Sequence, residues 1–408
     1  MKTWQVVLFA LAACLLYGIG AGIRGDIGIL LQPVLSQTGL SYERASFCIA
    51  VMQLVFGASQ PVFGLVASRK SNRFVLILGS LLIIAGLLGI RASSSFLPLF
   101  VSLSVVFGLG AGAVSFGLVF TSAVYFAGKD YAMLISGMLN AAAGMTGFVL
   151  SPVLNSLLDA GGLSLALLVV PLFSLLMIPI ALAVTSRDPK NPKKEIKSQG
   201  RASSLKDDKK SSALSLFTSA FSNRTYRLLV AGFSTCGFHM VIIESHLFSQ
   251  FKSYGISGNA ASWAFSIYGI ATILGALLSG FLSAKIDKGR LLSFYYGFRA
   301  VWVGLYLFLL PKNIFTAALF SAGLGMTGDA TVSPTSGLVN QEFSIEKVAT
   351  LVGFLFLCHQ AGAFFSAWAG GLLLKTTGGY NAVWLIDIAL CVFASLMSAR
   401  ISRNSLLE

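Results

Sequence analysis

The chain has 408 residues, of which 56% are hydrophobic and only 11% charged, and its mean hydropathy is +0.82. A soluble domain carries about a quarter charged residues, so this composition excludes a water-soluble fold and makes lipid the solvent for most of the chain. The formal net charge of +14 would suit a nucleic-acid binder, but the basic residues sit mostly in short loops between apolar stretches. That pattern sets membrane orientation, and no nucleic-acid partner is expected.

In chain order, apolar stretches predict helices at 5–33, 44–68, 73–91, 96–127, 132–158 and 163–185. The first could be mistaken for a cleaved leader ending at Leu11-Ala12-Ala13-Cys14, but its apolar run continues to about Val34, too far for a leader core. A polar segment with seven lysines and two prolines follows, from Ser186 to Ser212. It cannot bury a core and reads as a mobile linker. Leu214 to Phe221 reads as a short amphipathic helix on the membrane surface. Six more helices are predicted at 226–250, 259–284, 290–311, 313–341, 348–374 and 380–400. The expected organisation is a six-helix bundle over 1–185, a linker over 186–225 and a second six-helix bundle over 226–408.

With the N-terminus inside, 22 Lys and Arg fall on the cytoplasmic side and five outside. Both termini and the linker are therefore expected in the cytoplasm. The halves also repeat. At a constant offset of 216, Gly39-Leu40-Ser41 matches Gly255-Ile256-Ser257, Ala45-Ser46-Phe47 matches Ala261-Ser262-Trp263, and Gly64 matches Gly280. Further on, Gly108-Leu109-Gly110 matches Gly323-Leu324-Gly325.

Two parallel six-helix repeats joined by a basic loop resemble the major facilitator superfamily. The resemblance implies an all-α membrane fold of twelve helices, with a substrate site near the midplane between halves that rock about it. One departure is the loop after helix 2, Gly64-Leu65-Val66-Ala67-Ser68-Arg69-Lys70, where Ser68 stands in place of the family's acid; Ala284 does so in the matching loop. The usual charge lock is therefore not expected on either side. Gly22-Ile23-Arg24, Cys236-Gly237-Phe238-His239, Thr335-Ser336-Gly337 and His359-Gln360-Ala361 are similar to the bacterial monocarboxylate and oxalate/formate carriers. That branch implies proton-coupled movement of small organic anions across a bacterial cytoplasmic membrane. Its helix 8 arginine is missing, since 259–284 holds no Arg. Drug–proton antiporters place an Arg where this chain has Val105, and a Gly-Pro run where it has Ala143-Gly144.

An ionisable side chain at the bilayer centre costs about 2.5–3.5 kcal/mol on insertion scales, so each such residue suggests a function or a partner. Those noted are Arg24, Asp26, His239, Glu244, Arg299, Asp329 and His359. Arg24 is the expected grip on a substrate carboxylate, because a guanidinium offers two parallel donors; an ion pair with an acid on another helix, such as Asp329, is the competing role. Tyr17, seven residues earlier, shares its face. His239, His359 and Gln360 are further candidate substrate contacts, the last two alternatively bridging the halves by hydrogen bonds. Asp26, Glu244 and Asp329 are candidate proton carriers, with Arg299 either balancing Asp26 or structural. His246 reads as a solvated helix end.

The cysteines Cys14, Cys48, Cys236, Cys358 and Cys391 all lie in apolar stretches without metal-site spacing, and no nucleophile elbow or HExxH-type motif occurs. Neither an enzyme nor a bound cofactor is expected. The expectation is a monomeric, proton-coupled carrier of a small carboxylate. The alternatives are a carrier or exporter of a larger molecule such as a siderophore or drug, and a transporter-like sensor.

Overall fold

The computed structural model describes residues 3–128, 132–186, 188, 213–343 and 345–404. Of the predicted polar segment 186–212, all but Ser186 and Asp188 lies outside them. The described residues are helical throughout, with no strand among them. Twelve helical segments can be followed among the described residues, where ten helices are long and apolar enough to cross a membrane, 137–184 counting as one of them. In the first half they are α1 (3–38), α2 (Tyr42–Arg69), α3 (Asn72–Ala92), α4 (Phe96–Ala127), α5 (132–160) and α6 (163–184). In the second they are α7 (Arg224–Ser253), α8 (Gly258–Ser283), α9 (Lys288–Phe308), α10 (314–342), α11 (Ile345–Thr377) and α12 (Asn381–Asn404). Segments α5 and α6 run together except at Gly161 and Gly162, whose backbone is non-helical. The expected surface helix spans Ala213–Ser222, and Phe221 packs on Tyr226 and Phe354.

The sequence repeat has a local structural meaning. Gly39 and Gly255 end α1 and α7 with φ of 65° and 80°, a region costing a non-glycine residue about 1–2 kcal/mol. Ser41 and Ser257 then cap the next helices, accepting from Arg44 N and Ala260 N. Such caps contribute about 1 kcal/mol each.

The helices are also interrupted at matching places. A 3-10 turn, Ile27–Leu30, breaks α1, and a π turn, Ile243–Leu247, interrupts α7 at the repeat's offset. Segment α4 leaves helical geometry at Val114 and Ser115, while α10 breaks at Gly328 into the 3-10 turn Asp329–Thr331. Such breaks free backbone groups that need other partners inside a membrane.

The halves pack α2 against α11 and α5 against α8. Close contacts run from Gly57–Gln360 and Gly144–Gly269 up to Ser46–Gly371 and Asn155–Gly258. Beyond them Lys375 pairs with Glu43 at 2.5 Å. The molecule is thus closed at the end bearing the loops 39–41, 255–257 and 378–380. At the other end, Ser68 only bonds back to Leu65 O. Among the described residues of that end, Asn72 donates to Ser122 at 2.9 Å and Ser122 to Asp188 at 2.7 Å, tying α3 and α4 to the chain after α6. Burial raises the Asp188 carboxyl above its usual range, and the Ser122 and Asn72 bonds oppose that rise.

Candidate functional site

Arg24 lies one residue before the end of the long helix of α1, so its side chain leaves just where that helix breaks. Across the interface, the π turn of α7 carries Glu244. The two meet: Arg24 Nη1 donates to Glu244 Oε2 at 2.9 Å, and Nη2 to Oε1 at 3.4 Å. Gln53 of α2 completes a ring. Its Oε1 accepts from Arg24 Nη1 at 3.0 Å and its Nε2 donates to Glu244 Oε2 at 3.1 Å. The Phe56 ring centre is 4.8 Å from the guanidinium carbon, a cation–π distance. The turns can meet because residue 28 is glycine; a Cβ there would fall 2.3 Å from Glu244 O. Arg24 therefore pairs with Glu244 rather than with Asp329, and Glu244 is an ion-pair partner in this conformation.

Tyr17, Asp329 and His359 are half-buried around this pair. Tyr17 packs edge-on against Phe116 and shares electrostatic contact with Arg24. Asp329 sits at the break in α10, within electrostatic reach of Arg24, Arg299 and His359. Its carboxylate has no side-chain hydrogen bond among the described residues. The His359 ring lies between Phe233 and Phe356, with centroids 5.0 and 6.3 Å away. Its Nδ1 is unpartnered. Gln360 is buried against the bare backbone of Gly57, and its Oε1 has no partner. It joins the halves by packing on Gly57 rather than through Oε1.

Asp26 is buried where α1 breaks, facing Gly147 of α5. Its Oδ2 has no partner, and no base among the described residues pairs with it. Arg299 is fully buried in α9 and serves the broken α10 instead. It donates to Thr327 O, to Gly328 O at 2.7 Å and to Cys236 Sγ at 3.3 Å, with Tyr296 beside it. The break frees those carbonyls, and the arginine supplies donors that lipid cannot.

His239 does not join the group. It is fully buried behind α7, where Nδ1 meets Asp387 Oδ2 at 2.8 Å, and both side chains are wholly inaccessible. Direct substrate contact does not fit that place. Cys391 stands nearby, and the three ligand atoms lie within 4.8 Å of one another. The His–Asp contact is tighter than the roughly 3.3 Å between ligands about 2.0–2.2 Å from one tetrahedral ion, so it is a hydrogen-bonded pair. His246 is not solvated as expected. It is buried, with Nδ1 2.8 Å from the Tyr42 hydroxyl and Nε2 3.1 Å from Ala367 O. The π turn adds a residue between His239 and His246, so the two do not share the face that seven-residue spacing gives in a regular helix.

Asp387, Gln53 and Tyr42 escaped the sequence reading. Asp387 lies mid-span in the predicted helix 380–400 and meets the same rule as the other buried charges. Gln53 and Tyr42 are uncharged, and only their contacts with Glu244 and His246 of α7 show their roles.

The sequence profile of the Major Facilitator Superfamily matches residues 8–253 and again 247–405. The chain belongs to that superfamily. It is a multi-pass membrane transporter, not an enzyme. Monocarboxylate transporter 12 of Rattus norvegicus is 25% identical over 97% of this chain and 84% of its own. An uncharacterized MFS-type transporter, YcxA of Bacillus subtilis (strain 168), is 28% identical over 43% of each chain, so the match spans under half of that relative's length. In fold, the chain resembles a D-xylose–proton symporter, with TM-score 0.72 and 16% identity over 97% of this chain and 96% of the other. It equally resembles a bacterial homolog of the human lysosomal transporter Spinster, solved inward-facing and unoccupied, with TM-score 0.72 and 15% identity over 100% and 98%.

Proposed function

We propose that this superfamily member is a secondary active transporter that moves a small carboxylate together with protons by alternating access. The bidentate pair of Arg24 and Glu244 across the two halves carries the reading. Glu244 presents to Arg24 the group that a carboxylate substrate would present. If the substrate takes that place, it meets the Arg24 fork and the Gln53 amide donor already aimed there. Glu244 is then displaced. Two carboxylates about 5 Å apart repel by roughly 3 kcal/mol at an effective dielectric near 20, so Glu244 binds a proton as the anion binds. The negative charge entering with the substrate is matched by that proton. The relative named as a monocarboxylate transporter supports the substrate class, and the proton symporter of like fold supports the coupling.

Tyr17 and His359 would complete the substrate walls, with Asp26 and Asp329 as further proton carriers. Those two acids also favour a second reading, a larger substrate bearing cationic as well as anionic groups. The count of basic residues supports both termini lying in the cytoplasm, with the closed end outward, and the membrane proposed is a bacterial inner membrane. The units are 1–185, a linker over 186–225, and 226–408, acting as one monomer.

The test is binding and uptake of mono-, di- and tricarboxylates by the reconstituted protein at two pH values. Carboxylates bind and Arg24→Ala abolishes the binding with the protein still inserted. Binding of cations alone, or normal transport by Arg24→Ala, overturns the reading.

A further inference from the structure

The closed end holds a second cluster apart from Arg24 and Glu244. Its centre is His246, with both ring nitrogens engaged. Ala367 O can only accept, so Nε2 carries the proton between them, at 3.1 Å. In the neutral ring Nδ1 then accepts, and the Tyr42 hydroxyl must be its donor, at 2.8 Å. The Tyr42 oxygen in turn accepts from the Tyr380 hydroxyl at 3.3 Å. One directed chain thus runs from Tyr380 through Tyr42 and His246 to the α11 backbone. It joins α2 of one half to α7, α11 and the start of α12 of the other. The ring is 1% exposed, and a Cβ at Gly370 would fall 2.2 Å from Nε2.

An imidazolium does not fit this cluster. Both nitrogens would donate, so the hydroxyl chain would have to reverse, with Tyr42 accepting from Nδ1 and turning its own proton toward Tyr380. The added charge would also have no free counter-ion among the described residues. On α2 the nearest acid is Glu43, held by Lys375 of α11. On α7 it is Glu244, held by Arg24 of α1. The 3-10 turn of α1 packs against the same π turn and follows Asp26, which faces α5. From α12 and the end of α7 come the phenols Tyr380 and Tyr254.

We propose that His246 is a second proton site, a latch that holds this end shut while neutral and releases it when protonated. The proposal rests on the transporter reading, in that a transporter must open this end in turn. It supplies a reason for the end facing the more acidic side to open first.

The experiment places a cysteine at Ser46, which is buried in the seam opposite Gly371. Labelling by a membrane-impermeant maleimide, applied at the closed face, is compared with that of Ser94→Cys, an exposed position at the same end. The protein without either added cysteine gives the background. This ratio corrects for the reagent's own pH dependence. It rises about fivefold or more between about pH 7.5 and pH 5.5, where an imidazole released from the cluster gains its proton and so draws the end open. His246→Gln keeps an acceptor for Tyr42 and a donor for Ala367 but cannot be charged, so its ratio stays flat. A rise that survives His246→Gln overturns the latch, as does the lack of a rise in the parent. If that variant does not insert, Tyr42→Phe serves. It removes the hydroxyl donor, and the ratio becomes high at both pH values; a ratio matching the parent overturns the proposal. No substrate is present, so failure here leaves the Arg24 reading standing, and failure of carboxylate binding leaves the latch standing.

Discussion

The two halves are built on one plan and loaded differently. Both end their first segment with a left-handed glycine and start the second with a serine cap. Both bend their first and fourth segments at equivalent places. The first half puts only Arg24 and Asp26 at its breaks, whereas the second carries Glu244, Asp329, Arg299 and the His239–Asp387 pair. Symmetry therefore belongs to the scaffold, and chemistry to the differences. The two meet where Gly28, the repeat partner of Glu244, leaves room for the acid-bearing turn.

The comparison breaks most readily at the contact between halves. Arg24→Ala lowers carboxylate uptake by about 100-fold or more, because a hydrogen-bonded charge pair is worth roughly 3 kcal/mol or above when one side is removed. Arg24→Lys restores only part, since an ammonium cannot grip in two parallel bonds. Uptake by proteoliposomes measures both, and equal rates for Arg24→Ala and the parent would refute the assigned role.

The second half is the more fragile on removal of a single charge. His239→Ala or Asp387→Ala leaves a buried hydrogen-bonding partner unsatisfied, at a cost of about 2–3 kcal/mol. The double replacement costs less than either. Thermal unfolding in detergent checks this; a double variant as unstable as the sum of the singles would show that the two are not a pair. Arg299→Ala strips the donors from the α10 break and costs about 2–3 kcal/mol, read in the same assay. An unchanged midpoint would remove Arg299 as the support of that break.

The smallest effects test the shared plan. Ser41→Ala and Ser257→Ala each lose about 1 kcal/mol, and by similar amounts, since the caps are equivalent. A large difference between them in unfolding midpoint would show that the repeated motif does different work in the two halves.

The sequence by itself determined the membrane helices, the repeat, and the presence of costly charges in lipid. Apolar length and a local glycine or serine signal are properties of a contiguous stretch, so they are legible in one dimension. The Gly39 and Gly255 turns belong to this class. Pairing was decided only in three dimensions. Arg24 and Glu244 are 220 residues apart, and nothing local distinguishes Glu244 from Asp329 as the partner. The π turn in α7 has no local marker either, yet it rotates His246 into the closed seam and leaves His239 facing α12. Asp387 was readable by the same rule as the other charges, but its partner was not. A buried charge announces that it needs compensation, and only the packing of distant helices supplies the group that compensates it.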